Sequence, residues 1–250
     1  MPQADQTSKA GAASPSVATK DAQLLDNPIW NALTTAHRTW ALGDGPARRY
    51  PAEIGPLSGL AEQTPEAYES LRALTGTGPG GFSAQFLEEP PVDRPGWSLI
   101  RGGLMTQMIW SGNSITPAHL ASHILLRRLT SADAPAMVEL AELTEPGPFR
   151  LRTHELGTFF GIFEAGRLLA MAGQRISLPG FIEISAVCTH PIARGRGYAQ
   201  TVISQVMVDV LGRGESPFLH AFADYPAIRV YERLGFAHRR HLHLAVLQPE

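Results

Sequence analysis

The 250-residue chain holds one cysteine, Cys188, which rules out an intrachain disulfide and makes a reducing, cytoplasmic setting the simplest expectation. Charge of one sign is not in excess either: 21 Lys and Arg stand against 23 Asp and Glu, a formal net charge of −2. A protein that grips a nucleic-acid backbone carries a basic surplus or stripe, so no nucleic-acid partner is expected. No apolar run reaches the roughly 18 residues of a membrane-crossing helix, so no membrane partner is expected. Residues 1–23 are small and polar, lack the apolar stretch of a secretory leader, and read as a disordered tail. Two phosphate-binding loops are missing as well. There is no Gly-x-x-x-x-Gly-Lys-Ser/Thr, and Gly195-x-Gly197 is followed by Tyr198, Ala199 and Gln200 without the third glycine of a dinucleotide fingerprint. With 44% apolar and 18% charged residues, the chain can still build a sizeable core.

What is present is periodicity. Asn27-Pro28 opens a helix that carries Ile29, Leu33, Ala36 and Trp40 at helical spacing. Thr64-Pro65 opens a second, with Tyr68, Leu71 and Leu74 on one face. Residues 82–112 are broken by Pro and Gly into what read as short strands and turns. All four tryptophans (Trp30, Trp40, Trp97, Trp110) fall in this half and are expected to pack as core rather than wall a pocket. The second half is more regular. Residues 123–129 read as a strand, and Thr130 or Ser131 caps a helix running to 143. Residues 158–163 and 168–176 form a hairpin, 181–189 a strand, 197–211 an amphipathic helix, and 218–222 a strand. Residues 226–234 read as a helix ended by Gly235, and 241–247 as a last strand. Strands alternating with helices imply an α/β or α+β layer fold rather than a bundle. The expected organisation is the tail, an N-terminal domain over 24–124 and a C-terminal domain over 125–250.

The densest signal runs from Val187 to Ala199, Val-Cys-Thr-His-Pro-Ile-Ala-Arg-Gly-Arg-Gly-Tyr-Ala. A strand ends, a turn with two glycines and two arginines follows, and a helix starts. The first amides of a helix have no intrahelical partner and lie at the positive end of its dipole. Gly195 and Gly197 let an anion approach those amides, and Arg194 and Arg196 add charge-assisted hydrogen bonds. That is the chemistry of a pyrophosphate site.

The same stretch contains Arg-x-x-Gly-x-Ala (Arg194, Gly197, Ala199) after Val-x-Thr-x-Pro (Val187, Thr189, Pro191). It resembles the coenzyme A signature of the GCN5-related N-acetyltransferases, the GNAT superfamily. The segment from Asp224 to Phe236 is similar to the second signature of that family, in which a helix carries a Tyr four residues before Gly-Phe. The wording from Glu183 to Pro191 is closest to the FR47-like branch. The resemblance spans about residues 125–248. It implies a central, mixed but mostly antiparallel twisted sheet flanked by helices in the C-terminal half. Residues 24–124 would then supply the acceptor side of the cleft or be a degenerate second unit of the same kind. The implied activity is acyl-CoA-dependent N-acyl transfer: acetyl passes from acetyl-CoA to a primary amine on a small molecule or peptide, within a ternary complex and without a metal. A non-catalytic CoA-binding or interaction module is the alternative.

Carried over by position, the resemblance gives Val187, Cys188 and Thr189 backbone contacts to the acyl carbonyl and pantetheine arm. Arg194, Gly195, Arg196, Gly197, Tyr198 and Ala199 would cradle the pyrophosphate. Tyr231 would sit beside the thioester sulfur and protonate the leaving thiolate. Asp224 stands where the family often has Asn; it would either contact the coenzyme or cap a helix begun by Pro226. Glu183 is the candidate general base, four residues before Val187 and therefore on the same face of a regular strand. Asp224 and His220 are weaker candidates. Cys188 reads as a small buried residue rather than a nucleophile. His238, His241 and His243 read as a solvated strand face rather than a metal site.

Overall fold

The computed structural model describes residues 21–77, 81–112, 115, 121 and 124–250. Two short strands, β1 (Ala47–Arg49) and β2 (Ser58–Leu60), form a separate antiparallel ribbon. The frame is an eight-stranded sheet made of β3 (Ser83–Leu87), β4 (Trp97–Trp110), β5 (Leu125–Arg128), β6 (Phe159–Glu164), β7 (Arg167–Leu178), β8 (Phe181–Thr189), β9 (Ser216–Phe222) and β10 (Phe236–Pro249). Its spatial order is β3-β10-β4-β9-β8-β7-β6-β5. Neighbours are antiparallel except β8 and β9, which run parallel. This is the mixed, mostly antiparallel sheet that the motifs imply.

Helices cover both faces. α4 (Tyr198–Leu211) buries Val202, Ile203, Val206, Met207 and Val210, a stripe at helical spacing, against Ile162, Ile182, Ile184 and Leu219. On the opposite face, α1 (Pro28–Thr34) brings Ile29 and Leu33 onto Ile176, Phe181, Phe218 and Leu242. There too, α3 (Ala134–Thr144) sets Met137 and Leu140 on Phe159, Met171 and Cys188. α2 (Pro65–Thr75) starts as read: the Thr64 side chain accepts from the Ala67 amide at 3.2 Å, and Pro65 takes the first turn. It packs Tyr68 and Leu71 beside Trp97, Ala245 and Leu247. The last helix, α5 (Ile228–Arg233), carries Tyr231. No helix among the described residues is long and apolar enough to cross a membrane.

Several expectations need correction. Residues 1–20 of the supposed tail, and the start of the strand expected from 123, lie outside the described residues. Residues 21–23 belong to a 3-10 helix, Asp21–Leu25, anchored by fully buried Leu25 and by the Ala22 carbonyl, which accepts from Arg239 at 2.8 Å. Asn27 stands at the N-cap of α1 with Pro28 in the first turn, but its side chain makes no capping bond: its amide donates to the Leu60 carbonyl at 2.7 Å, and α1 stops at Thr34. Residues 97–110 form one long strand rather than a set of short ones. Gly102-Gly103 looks like punctuation in the sequence. In the fold, Gly103 clears room for the Phe222 ring, which a Cβ there would meet at 2.7 Å.

The larger correction concerns organisation. β4 lies between β9 and β10, so the boundary expected at 124/125 runs through one sheet. β4 pairs with β10 along nearly its whole length and with β9 from Met105 to Ile109. Residues 125–250 alone would hold β9 and β10 with no strand between them. A 125–250 fragment is therefore expected to show no cooperative thermal transition by circular dichroism, and co-expression with residues 1–124 to restore one. A cooperative melt of the isolated fragment would show that the C-terminal half closes its own sheet.

Candidate active site

The site exists because β8 and β9 part. They pair only where Phe181–Glu183 faces Ser216–Phe218. Beyond that point β9 stays with β4 and β8 with β7. A register shift between Met171/Gly173 and Cys188/Ser185 places one extra residue in β8, and Ala186 takes φ +51°. The phase of the strand turns over there. Ile182 and Ile184 pack toward α4, whereas Ala186 and Cys188 pack toward α3. From Ser185 onward the main chain of β8 has no partner on its β9 side. His220 shows the matching feature on β9: its side chain has no exposed surface although the residue is only partly buried, so its exposed part is main chain.

The gap opens into a cleft of about 480 Å³. Val187, Thr189, Arg194, Ala199, Ala227 and Tyr231 line its α4 and α5 side. Phe86, Met105, Leu244 and Val246 line the side that belongs to β3, β10 and β4, with Phe222 at the end of β9 beside them. The loop after α3, residues 144–148, closes the rim.

The glycine turn meets the cleft at the start of α4. Gly195 and Gly197 both sit at φ +78°, in the left-handed region, and a Cβ on either would meet nothing within 4 Å. The glycines are thus required by backbone conformation and leave open space before the free amides of the first helical turn. Arg194 lines the cleft and has no ion-pair partner among the described residues. Arg196 points elsewhere, to Glu164 at 3.0 Å. The Tyr198 ring is buried in the core, so only its amide is available to a ligand. The Thr189 hydroxyl is buried and without a hydrogen-bond partner among the described residues, on a residue that lines the cleft. An orphaned hydroxyl, unpaired strand amides and an open glycine turn fit a long ligand that ends in a diphosphate.

Tyr231 lines the cleft. Burial raises its phenol to about 12, so it stays protonated well past neutral pH. Glu183 does not line the cleft. The extra residue at the bulge puts Glu183 and Val187 on opposite faces, which overturns the regular-strand premise. Glu183 is fully buried and absent from the cleft wall. Arg175 holds it bidentately at 2.8 and 2.7 Å, and His220 Nδ1 lies 2.8 Å from the same carboxylate. Burial alone would raise this carboxyl, but Arg175 and then His220 reverse that and hold it down at about 2. Gln107 fixes the tautomer of His220. Its Oε1 accepts from Arg239 at 2.7 Å, so its Nε2 donates to Leu25 O at 2.8 Å and to His220 Nε2 at 3.0 Å. The His220 proton therefore sits on Nδ1 and points to Glu183.

The remaining candidates are settled by their surroundings. Asp224 is exposed and off the cleft wall; tight turns through residues 222–228 precede α5, whose N-cap is Ala227, so Asp224 caps no helix. Burial pushes the Cys188 thiol up to about 12, consistent with a packing role. The His238 and His241 rings meet edge to face at 4.6 Å. Trp97 is core, Trp30, Trp40 and Trp110 are part-buried, and none of the four lines the cleft. Sequence reading missed Phe86, Arg101, Met105, Phe222, Leu244 and Val246, because strand register alone brings them together.

Glu183→Gln leaves buried Arg175 without its counter-charge and is expected to cost about 3–5 kcal/mol in urea unfolding. The folded carboxyl is depressed relative to an unfolded value near ~4.3, so its contribution is full above about pH 5 and is lost as pH falls toward about 2. The acid slope of stability should accordingly shrink in Glu183→Gln; an unchanged slope and midpoint would remove the buried pair from the account. Cys188 should resist iodoacetamide in native protein at pH 8 and react once unfolded, as read by mass spectrometry.

The FR47-like protein family matches residues 159–244, a span that contains both signatures. Among solved structures, a GNAT-family protein of Novosphingobium aromaticivorans is 36% identical, with 90% of this chain and 98% of that chain covered and a TM-score of 0.81. GCN5-related N-acetyltransferases from Kribbella flavida and Sphaerobacter thermophilus share the fold at 15% identity each. Their TM-scores are 0.60 and 0.57, with 87% and 90% of this chain and 93% and 90% of theirs covered. No curated protein matches the chain in sequence. The parted strands, the glycine turn and 36% identity over nine-tenths of the length lead to one assignment: the chain belongs to the GNAT family.

Proposed function

We propose that this protein is an acyl-CoA-dependent N-acyltransferase that moves acetyl from acetyl-CoA to a primary amine by direct transfer in a ternary complex. One observation carries the reading. At the gap between β8 and β9, one cleft runs from the start of α4, beside a glycine turn suited to a diphosphate, to an apolar wall on β3, β10 and β4, and Tyr231 lines it.

When bound, the coenzyme supplies an acyl group activated as a thioester. The amides of Gly195 to Ala199, with Arg194, hold its diphosphate. The main-chain groups of Ser185 to Thr189 that face away from β7 orient the pantetheine arm and polarise the acyl carbonyl. Tyr231, kept neutral by burial, donates a hydrogen bond to the departing sulfur. The attacking amine must also lose a proton. Glu183 is engaged by Arg175 and His220, and Glu145, on the loop after α3, is the one carboxylate among the described cleft-lining residues. Glu145 is assigned the proton-accepting role in place of Glu183.

Isothermal titration with acetyl-CoA, against free CoA and ATP as controls, is the first test. Selective binding of both CoA species is expected, and Gly197→Val should abolish it by filling the open space before the amides. Retained binding in Gly197→Val would move the diphosphate elsewhere. Tyr231→Phe should lower turnover about 100-fold or more while leaving coenzyme affinity nearly unchanged. Glu145→Gln should lower turnover without the stability loss of Glu183→Gln. Coenzyme binding with no turnover on any amine would identify a non-catalytic CoA module instead.

A further inference from the structure

We infer that the acceptor is an amine with an apolar body and a carboxylate, and that Arg101 reads the carboxylate; this deepens, and rests on, the acyl-transfer reading. The acceptor chamber is floored by one face of β3, β10 and β4. Register sets its rows: Phe86 beside Leu244 beside Gly103, and Ala84 beside Val246 beside Arg101. Met105 beside Phe222 completes it toward the gap. Leu57, Ala84, Phe86, Met105, Leu244 and Val246 make this wall apolar. Arg101 stands at this wall, on β4 beyond the last residue of β9.

Three observations turn Arg101 from a surface charge into a recognition group. Its guanidinium lies over the Phe222 ring, 5.4 Å from the centroid, which orients the fork. That stack depends on Gly103, since any side chain there would occupy the space of the ring. Arg101 also makes no ion pair among the described residues, whereas Arg175, Arg196, Arg239 and Arg240 are all matched to carboxylates. An oriented, unmatched guanidinium at an apolar wall is complementary to a carboxylate, which it can bind through two parallel hydrogen bonds. Glu145 supplies the opposite charge from the loop after α3 rather than from the sheet. Of the other cations on the lining, Arg175 is paired with Glu183 and Arg194 stands at the glycine turn, so Arg101 and Glu145 are the opposite charges left across apolar surface, the complement of an amine that bears a carboxylate and an apolar side chain.

The test is calorimetric and independent of turnover. L-leucine and L-phenylalanine are titrated into the full chain with free CoA present, each against its own carboxamide, which keeps the amine and side chain but removes the anion. Arg101 is exposed, so Arg101→Gln should fold normally, and Arg101→Lys keeps the charge without the fork. In the parent protein at least one acid should bind about 10- to 100-fold more tightly than its amide. Arg101→Gln should erase the difference, Arg101→Lys should restore part of it, and acetyl-CoA affinity should not change in either. The inference is overturned if no acid binds, if the amides bind as well as the acids, or if Arg101→Gln keeps the preference. It is also overturned if that substitution weakens acetyl-CoA instead, which would make Arg101 a coenzyme contact. If acetyl-CoA does not bind the parent protein while the acid preference stands, acyl transfer falls and the Arg101 site survives.

Discussion

The structure depends on where the β8–β9 ladder ends. Main-chain pairing stops at Glu183 and Phe218, and the carboxylate of Glu183 takes over at that point by reaching His220, two residues further along β9. The same contact belongs to a longer chain. Arg175 on β7 holds Glu183 on β8, which holds His220 on β9; His220 meets Gln107 on β4, and Gln107 meets Arg239 on β10. These five strands are neighbours in that order, so the polar chain crosses the sheet at the level where it opens. Arg239 then reaches Asp26 and the Ala22 carbonyl, tying the first helical turn of the chain to the same line. A buried ion pair is poor evidence of stability, because desolvation offsets most of the Coulomb gain. Its use here is positional: it fixes where two strands stop pairing without closing the space beyond them.

The same line explains why residues 24–124 are not an accessory. Gln107 relays the network because β4 is the strand inserted between β9 and β10, and no residue of the C-terminal half stands in that place. β3 and β4 also supply Phe86, Arg101 and Met105 to the chamber wall. The coenzyme signatures thus lie in one half of the sequence and much of the chamber opposite them in the other. Under the proposed function, divergence of the first half would change the acceptor without touching the glycine turn.

How much of this is legible in the sequence follows from the range of the interactions. The turn from Val187 to Ala199 and the helix that bears Tyr231 are local: glycine conformation, free helix amides and a short spacing define them, and the structure assembles them at one cleft. Hairpin β6–β7, strand β8 and helix α4 are legible for the same reason, since their apolar periods are long and clean. Glu183 was misread because a strand's facing is a running count, and one extra residue at Ala186 inverts every position after it. No residue preference announces that bulge, since alanine has no liking for φ +51°. Asp224 misleads in the opposite sense, as a good cap residue three positions before the actual N-cap. The chamber wall is least legible, because Ala84, Arg101 and Val246 become neighbours only through register between distant strands.

A sheet that opens between two parallel strands has a further consequence for chemistry. Side chains alternate across a strand, so a ligand lying in the gap meets main chain from both strands and side chains from both faces. The glycine turn and Tyr231 stand on the α4 and α5 side, and Phe86, Met105 and Leu244 on the other. Two ligands can therefore approach from opposite faces and meet edge-on in the gap, each keeping its own wall. In the proposed reaction, donor recognition falls to backbone amides and glycines, needs little from side chains and tolerates few changes. In that same proposed reaction, acceptor recognition falls to side chains on a sheet face and is free to vary position by position. The bulge at Ala186 separates the two, because it decides which residues of β8 look toward the α4 wall and which are buried beneath α3.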